Sequence, residues 1–315
     1  MRMKKIKQYL GFILPMFVAI AMSSCIKDSL SENPGKVNVT LSLNTRAESG
    51  EAALNEGIKT LRVIIADKNN IVKRNIKKEY DDNETLKNLY IIGLEEGINK
   101  FYVVINEKSL GLNLDNWTPE EEYSVQNENS VFFPKSVMDV TDGVPATGKE
   151  QVNLLEGTDN VVSISCTYAV AKIVLNVTNN SGRDFAVKNV KFGPFFQQGT
   201  YLFNQDGKVP FENSKEHSFP LEDVKIPVTS ESGTPTQTLV CYLFETGQNI
   251  SSENYTVALE VDGMDFLNTP AQIQFDSNSL PRGYQLNLNA KVTGTEITYG
   301  PVTVEPWKEQ NIELE

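Results

Sequence analysis

The chain is poor in the residues that do chemistry. Its one histidine, His217, lies in the polar run Asn213–Ser218. A lone histidine in such a setting reads as a solvated loop side chain, not a general base. There is no Gly-x-Ser-x-Gly elbow, no His-Glu-x-x-His pair and no glycine-rich phosphate loop following a strand. The acidic turn Asp81-Asp82-Asn83-Glu84 lacks the spaced oxygen ligands and central glycine of an EF-hand loop. It reads as a solvated turn. No catalytic group, metal site or cofactor is therefore expected, although counting carboxylates leaves a glycosidase pair open.

Positive charge is also scarce. The net charge is −12, and setting aside residues 1–46 leaves 22 Lys and Arg against 39 Asp and Glu, a net −17. Such a surface repels phosphate backbones, so nucleic acid is an unsuitable partner. Three cysteines cannot make a disulfide scaffold. Cys166 and Cys241 lie in apolar, strand-like runs and read as two buried small hydrophobes, with a disulfide between them left open.

Cys25 is different. Arg2, Lys4, Lys5 and Lys7 form a positive segment, and Tyr9–Met22 is a run of apolar and small residues. That run is short for a membrane-spanning helix of about 20 residues and fits the middle of an export signal. It ends in Met22-Ser23-Ser24-Cys25, which resembles a bacterial lipobox whose cysteine takes a diacylglycerol. The expectation is a signal peptide over 1–24 and a lipid anchor at Cys25, each buried CH₂ adding about 0.8 kcal/mol. Immediately after comes Val37-Asn-Val-Thr-Leu-Ser-Leu43, apolar at Val37, Val39, Leu41 and Leu43, then Thr45-Arg46-Ala47. A strand pattern followed by a basic residue in a polar stretch reads as a strand beside a cleavable site.

From Lys36 onward, short β-prone runs alternate with Gly, Asn, Asp and Pro, the pattern of antiparallel sandwiches and not of βαβ units. Strands are expected at Leu61–Ala66, at Leu89–Ile92 and Asn99–Asn106 as a hairpin, and at Gln151–Leu155. Thr118-Pro-Glu-Glu-Glu122 carries the start signals of a short helix. Val131–Pro134 and Val144–Gly148 read as connections. Val161–Val177 is almost continuously strand-like, and a domain boundary is placed at Tyr168. Further strands are expected at Phe185–Phe192, Thr200–Phe203, Thr238–Glu245, Tyr255–Val261, Gln272–Phe275 and Tyr284–Val292, with Glu212–Pro235 a surface loop holding a strand at Val224–Val228. The chain then continues. Ile297, Tyr299, Val302 and Val304, then Ile312 and Leu314, mark β-prone segments on either side of Pro306-Trp307. They can pair within their own domain or with a neighbour by strand addition.

Several stretches resemble the fimbrillins, the major-fimbria or type V pilin family of Gram-negative anaerobes. They are Ile58–Asp67, Gly97–Asn106, Tyr168–Leu175, Tyr242–Glu245, Pro281–Tyr284 and Val304–Trp307, in that order, behind the lipobox. Tyr168 stands where the family often has arginine. The resemblance implies an all-β fold of two tandem transthyretin-like antiparallel β-sandwich domains: a propeptide over 25–46, domains over 47–167 and 168–295, and a strand-donating tail over 296–315. It further implies that an arginine-specific surface protease cuts between Arg46 and Ala47, releasing the Val37–Leu43 strand. The tail of another fimbrial subunit, through Ile297, Tyr299, Val302, Val304, Trp307, Ile312 and Leu314, would then fill the groove.

The function so implied is a structural subunit of adhesive surface fimbriae, starting as an outer-membrane lipid-anchored precursor. Anchor and tip subunits are the alternatives within the family. A surface glycan-binding lipoprotein is the alternative outside it, and it calls for an exposed aromatic platform, for which Trp117 is the free candidate. A hydrolase comes last, with no pocket residues to nominate.

Overall fold

The computed structural model describes residues 35–45, 57–81, 88–119, 131–132, 140–196, 199–203, 215–228, 237–246, 256–262, 271–272 and 280–307. These residues form eighteen strands and one short 3₁₀ turn at Glu107–Leu110. The first eight strands are β1 (Lys36–Thr45), β2 (Thr60–Asp67), β3 (Val72–Glu79), β4 (Leu89–Glu95), β5 (Gly97–Ile105), β6 (Val131–Phe132), β7 (Ala146–Leu154) and β8 (Asn160–Tyr168). The rest are β9 (Ala171–Asn179), β10 (Phe185–Phe196), β11 (Gly199–Thr200), β12 (Lys215–Ile226), β13 (Gln237–Leu243), β14 (Thr256–Asp262), β15 (Ala271–Gln272), β16 (Tyr284–Val292), β17 (Ile297–Tyr299) and β18 (Thr303–Pro306). Among the described residues no helix is long and apolar enough to cross a membrane.

The fold is all-β, and buried apolar side chains gather in two clusters. Around the first, hydrogen-bonded strands run in the order β3-β2-β5-β7-β8-β1-β4. β7 and β8 pair only at Ala146↔Tyr168 and Thr147↔Thr167, so the path turns a corner there. Gly148 makes the corner: a Cβ on it would fall 2.6 Å from the Ser165 carbonyl and 2.9 Å from Cys166 Sγ. Around the second cluster lie a sheet β12-β10-β14-β15 and a sheet β13-β9-β16, whose far edge carries β17 and β18. Alternation sets the inward faces. In β9, Ile173, Leu175 and Val177 are buried while Lys172, Val174 and Asn176 are half-buried, as a period of two requires. The chain passes from the first cluster to the second between Val170 and Ala171.

Most pairings are antiparallel, but β1 with β8 and β9 with β16 are parallel. The expected β4–β5 hairpin is instead a corner. The two strands are separated by Glu96 alone, yet β4 pairs with β1, and β5 with β2 and β7. Gly97 at φ +99° makes the sharp turn, and the Asn99 amide donates to the Glu95 and Gly97 carbonyls at 2.9 and 3.1 Å. A second difference is β12, twelve residues of strand across most of the stretch expected to be loop, including His217, whose backbone lies opposite Phe192. β12 pairs only with β10 among the described residues. An edge strand tolerates the polar sequence and the Pro220 that made it look like loop. Glu120–Glu122 of the expected short helix and Asp82–Glu84 of the acidic turn lie outside the described residues.

Candidate functional site

β1, at ten residues the longest strand of the first sheet, lies between β4 and β8. Its backbone pairs antiparallel with β4 from Lys36↔Glu95 to Leu41↔Leu89, and parallel with β8 from Val39↔Asn160 to Thr45↔Cys166. Val37, Val39 and Leu41 point into the first core at 4, 0 and 0% exposure, while Leu43 is half-buried against its edge. On the other face the Asn38 side chain accepts from the Gly93 N–H at 3.2 Å, and Lys36 pairs with Glu95 at 3.5 Å. Transfer of three such aliphatic side chains from water stabilises by roughly 5–9 kcal/mol as an upper bound. That is comparable with the whole stability of an ordinary domain.

Two asymmetries matter. β4 has β1 as its only backbone partner among the described residues, so β4 is fastened to the sheet through β1. β8 likewise meets β7 only at its last two residues, leaving Asn160–Cys166 bonded to β1 alone. The second asymmetry runs along β1 itself. Among the described residues Ser42–Thr45 pair with β8 alone, whereas Lys36–Leu41 pair with both neighbours. Cys25, Arg46 and Ala47 lie outside the described residues.

The tail residues are all on one strand edge as far as Trp307. β17 and β18 zip antiparallel along β16, with Ile297 opposite Val292, Tyr299 opposite Ala290, Val304 opposite Leu286 and Pro306 opposite Tyr284. Ile297 is buried, and Tyr299, Val302 and Val304 pack partly buried on the second core. The Leu259 N–H of β14 donates to Tyr299 Oη at 3.0 Å, and burial pushes that phenol up to about 12 against the opposing effect of the bond. Ile312 and Leu314 lie outside the described residues.

Trp307 departs from the rest of the tail. Its ring joins the first core, not the second, stacked on Tyr168 at 3.9 Å between centroids and tilted against Tyr242 at 5.7 Å. The Lys172 ammonium sits 5.0 Å from its ring centroid. Its N–H donates to the Gly283 carbonyl, and the Gly283 N–H donates to the Val170 carbonyl. Beside this stack Arg282 is buried in an ion pair with Glu245 at 2.7 Å, and its guanidinium also bonds the Thr200 hydroxyl and the Tyr201 carbonyl. Four stretches far apart in sequence, around Tyr168, Tyr242, Arg282 and Trp307, thus meet at one junction between the cores.

Sequence reasoning missed a second buried ion pair. Arg62, on the apolar strand β2, forks onto Glu107 and also donates to Asp115 and Asn75. The bond from Arg62 holds the Asp115 carboxyl below the usual carboxylate range. Only the arginine in the run Leu-Arg-Val-Ile-Ile signalled it. Trp117, the free candidate for a glycan platform, is 7% exposed and part of the first core, so it offers no flat surface to a sugar. Cys166 and Cys241 are free thiols, one in each core. Among the described residues no group of three His, Cys, Asp or Glu side chains is placed to hold a metal.

This all-β architecture, with β1 enclosed in the first sheet and a tail zipped along β16, is fimbrillin-like in fold. Three solved structures resemble it along most of their lengths. A candidate cell adhesion protein from Bacteroides eggerthii aligns with a TM-score of 0.57 at 13% identity, covering 86% of this chain and 96% of the other. The C-terminally truncated tip fimbrial protein Mfa3 of Porphyromonas gingivalis aligns at 0.55 and 13% identity, covering 86% and 100%. A fimbrilin of the same organism aligns at 0.54 and 14% identity, covering 87% and 98%. No protein-family model matches the chain, and no curated protein matches it in sequence.

Proposed function

We propose that the chain is a structural subunit of cell-surface fimbriae, tethered as an outer-membrane precursor through lipid on Cys25 and assembled with other fimbrial subunits by strand replacement. Its fold is shared with a fimbrilin and a tip fimbrial protein. The observation that carries the reading is the placement of β1, a strand buried on its inner face and bonded along both edges, ending at Thr45 directly before Arg46. An arginine-specific protease cutting between Arg46 and Ala47 frees the Thr45 end of β1, and the strand peels from there. The emptied groove exposes apolar core and the backbone of β4 and β8, so it is refilled by a strand from another subunit. A head-to-tail contact of this kind does not close, and it grows a filament.

The donor in this reading is the 296–315 tail, stored along β16 until a neighbour takes it up. That storage favours a second reading, a tip or terminal subunit whose tail stays at home, because Ile297 and Trp307 are already buried in their own chain and Val304 is paired along β16. One comparison addresses both. Purified precursor treated with an arginine-specific protease should acquire an N-terminus at Ala47 and form SDS-resistant ladders, whereas Arg46→Ala should stay monomeric. Ladders from the Arg46→Ala protein would remove strand release from the mechanism. A cut at Ala47 without homopolymer ladders, restored by adding a second fimbrial subunit, would support the terminal role.

A further inference from the structure

We propose that Trp307 couples the seating of the tail to the presence of β1, so that a subunit holds its own tail firmly only while its first strand is in place. The physical link is short. Among the described residues β1 is the sole backbone partner of Asn160–Cys166 in β8, and Tyr168 ends the same strand two residues later. Tyr168 carries the Trp307 ring at 3.9 Å and is itself 92% buried by its surroundings, at 8% exposure. The tail beyond β18 is fixed by that stack and by the Trp307 N–H to Gly283 bond. Removing β1 leaves β8 with backbone pairing at its last two residues alone and uncovers one side of its Val162, Ile164 and Cys166 packing, so the platform under Trp307 loosens. Withdrawing Trp307 in turn uncovers Tyr168 and takes packing from the end of β8, against which β1 lies. Coupling between two sites is reciprocal in free energy, so each event weakens the other by the same factor.

In the intact chain this is a statement about packing alone. Its consequence for assembly rests on the strand-replacement reading: a subunit becomes ready to give its tail when it has lost β1, which orders the two events.

The forward test uses the full-length precursor and hydrogen exchange read by mass spectrometry. Trp307→Ala should speed exchange of peptides covering 36–45 and 160–168 on the order of tenfold, with peptides covering β2 and β5 little changed. Trp307→Phe, which keeps a stacking ring, should remain near wild type and supplies the comparison if the alanine variant does not fold. Unchanged exchange in β1, or a uniform rise across the first core, would overturn the coupling. The reverse test uses Trp117→Phe, which leaves Trp307 as the sole tryptophan of the two. After cleavage at Arg46 and loss of the 1–46 fragment, Trp307 emission should shift to the red and become several-fold more sensitive to acrylamide. If the fragment leaves and Trp307 stays shielded, the coupling fails while strand release stands. If no cleavage occurs at Arg46, strand release loses its trigger, and the forward test still decides the coupling.

Discussion

At the scale of single residues, the informative side chains are polar groups placed where the pattern promised hydrocarbon. Arg62 interrupts Leu61-Arg-Val-Ile-Ile65, and its side chain is 3% exposed because Glu107 sits 2.5 Å away. The sequence shows the arginine but not the partner, since Glu107 is 45 residues distant and reaches it only through the turn after β5. The cysteines behave in the opposite way. Their apolar surroundings were legible, and the structure adds that they lie in separate cores. Burial pushes both thiols up to about 12. The thiolate is the reactive form, so through the neutral and mildly alkaline range both should stay protonated and inert. Alkylation by iodoacetamide at pH 8 should be negligible in the native protein and should reach two thiols per mature chain in denaturant, besides any at Cys25. Fast labelling of either in native protein would show that its core opens.

At the scale of elements, alternation located strands well and partners poorly. Tyr284–Val292 coincides with β16, and Thr238–Glu245 overlaps β13, because both are bounded by turns and carry buried residues at every second position. Pairing is a different kind of information. Leu89–Ile92 and Asn99–Asn106 look like a hairpin by proximity, but Gly97 and Asn99 turn the chain at a corner, and β4 finds its partner in β1, from Leu41 opposite Leu89 to Lys36 opposite Glu95. The polar part of β12 before Val224 reads as loop because its position at an edge frees it from alternation, while its last residues fall within the strand expected at Val224–Val228. The corner at Gly148 is equally specific and equally hidden, since Val144–Gly148 reads as a connection and a glycine at the start of β7 gives no sign of what crosses it. Gly148→Ala should destabilise by about 1–3 kcal/mol, as overpacking does, because backbone at Ser165 stands in the way. Gly182→Ala, with open space around its Cβ position but φ +81°, separates steric from conformational cost. Urea denaturation of the two variants measures the difference, and equal midpoints would show that the β7–β8 corner relaxes freely.

At the scale of the whole molecule, the two ends of the described chain bear on the same strand. β1 flanks β8 along one edge, and Trp307 packs on the residue that ends it. The tail's two strands also complete the second core, where Ile297 is buried and Tyr299 reaches across to β14. A tail that only waited to be donated would be dispensable to its own subunit. Here, deletion of 296–315 removes a buried isoleucine, a buried tryptophan and every backbone partner on one edge of β16. Core truncations of that size cost several kcal/mol each, so a loss on the order of 5 kcal/mol is expected, a large share of a domain's stability. Deletion of 308–315 alone keeps all the described contacts and should leave the denaturation midpoint unchanged. The pair therefore divides the tail by function. If the shorter deletion is stable and still polymerises, donation depends on residues up to Trp307, which must leave β16 to serve a neighbour. If it is stable and no longer polymerises, the segment holding Ile312 and Leu314 is needed for the contact. Wild-type stability in the longer deletion would mean that β17 and β18 contribute nothing to their own core, contrary to the pairing along β16.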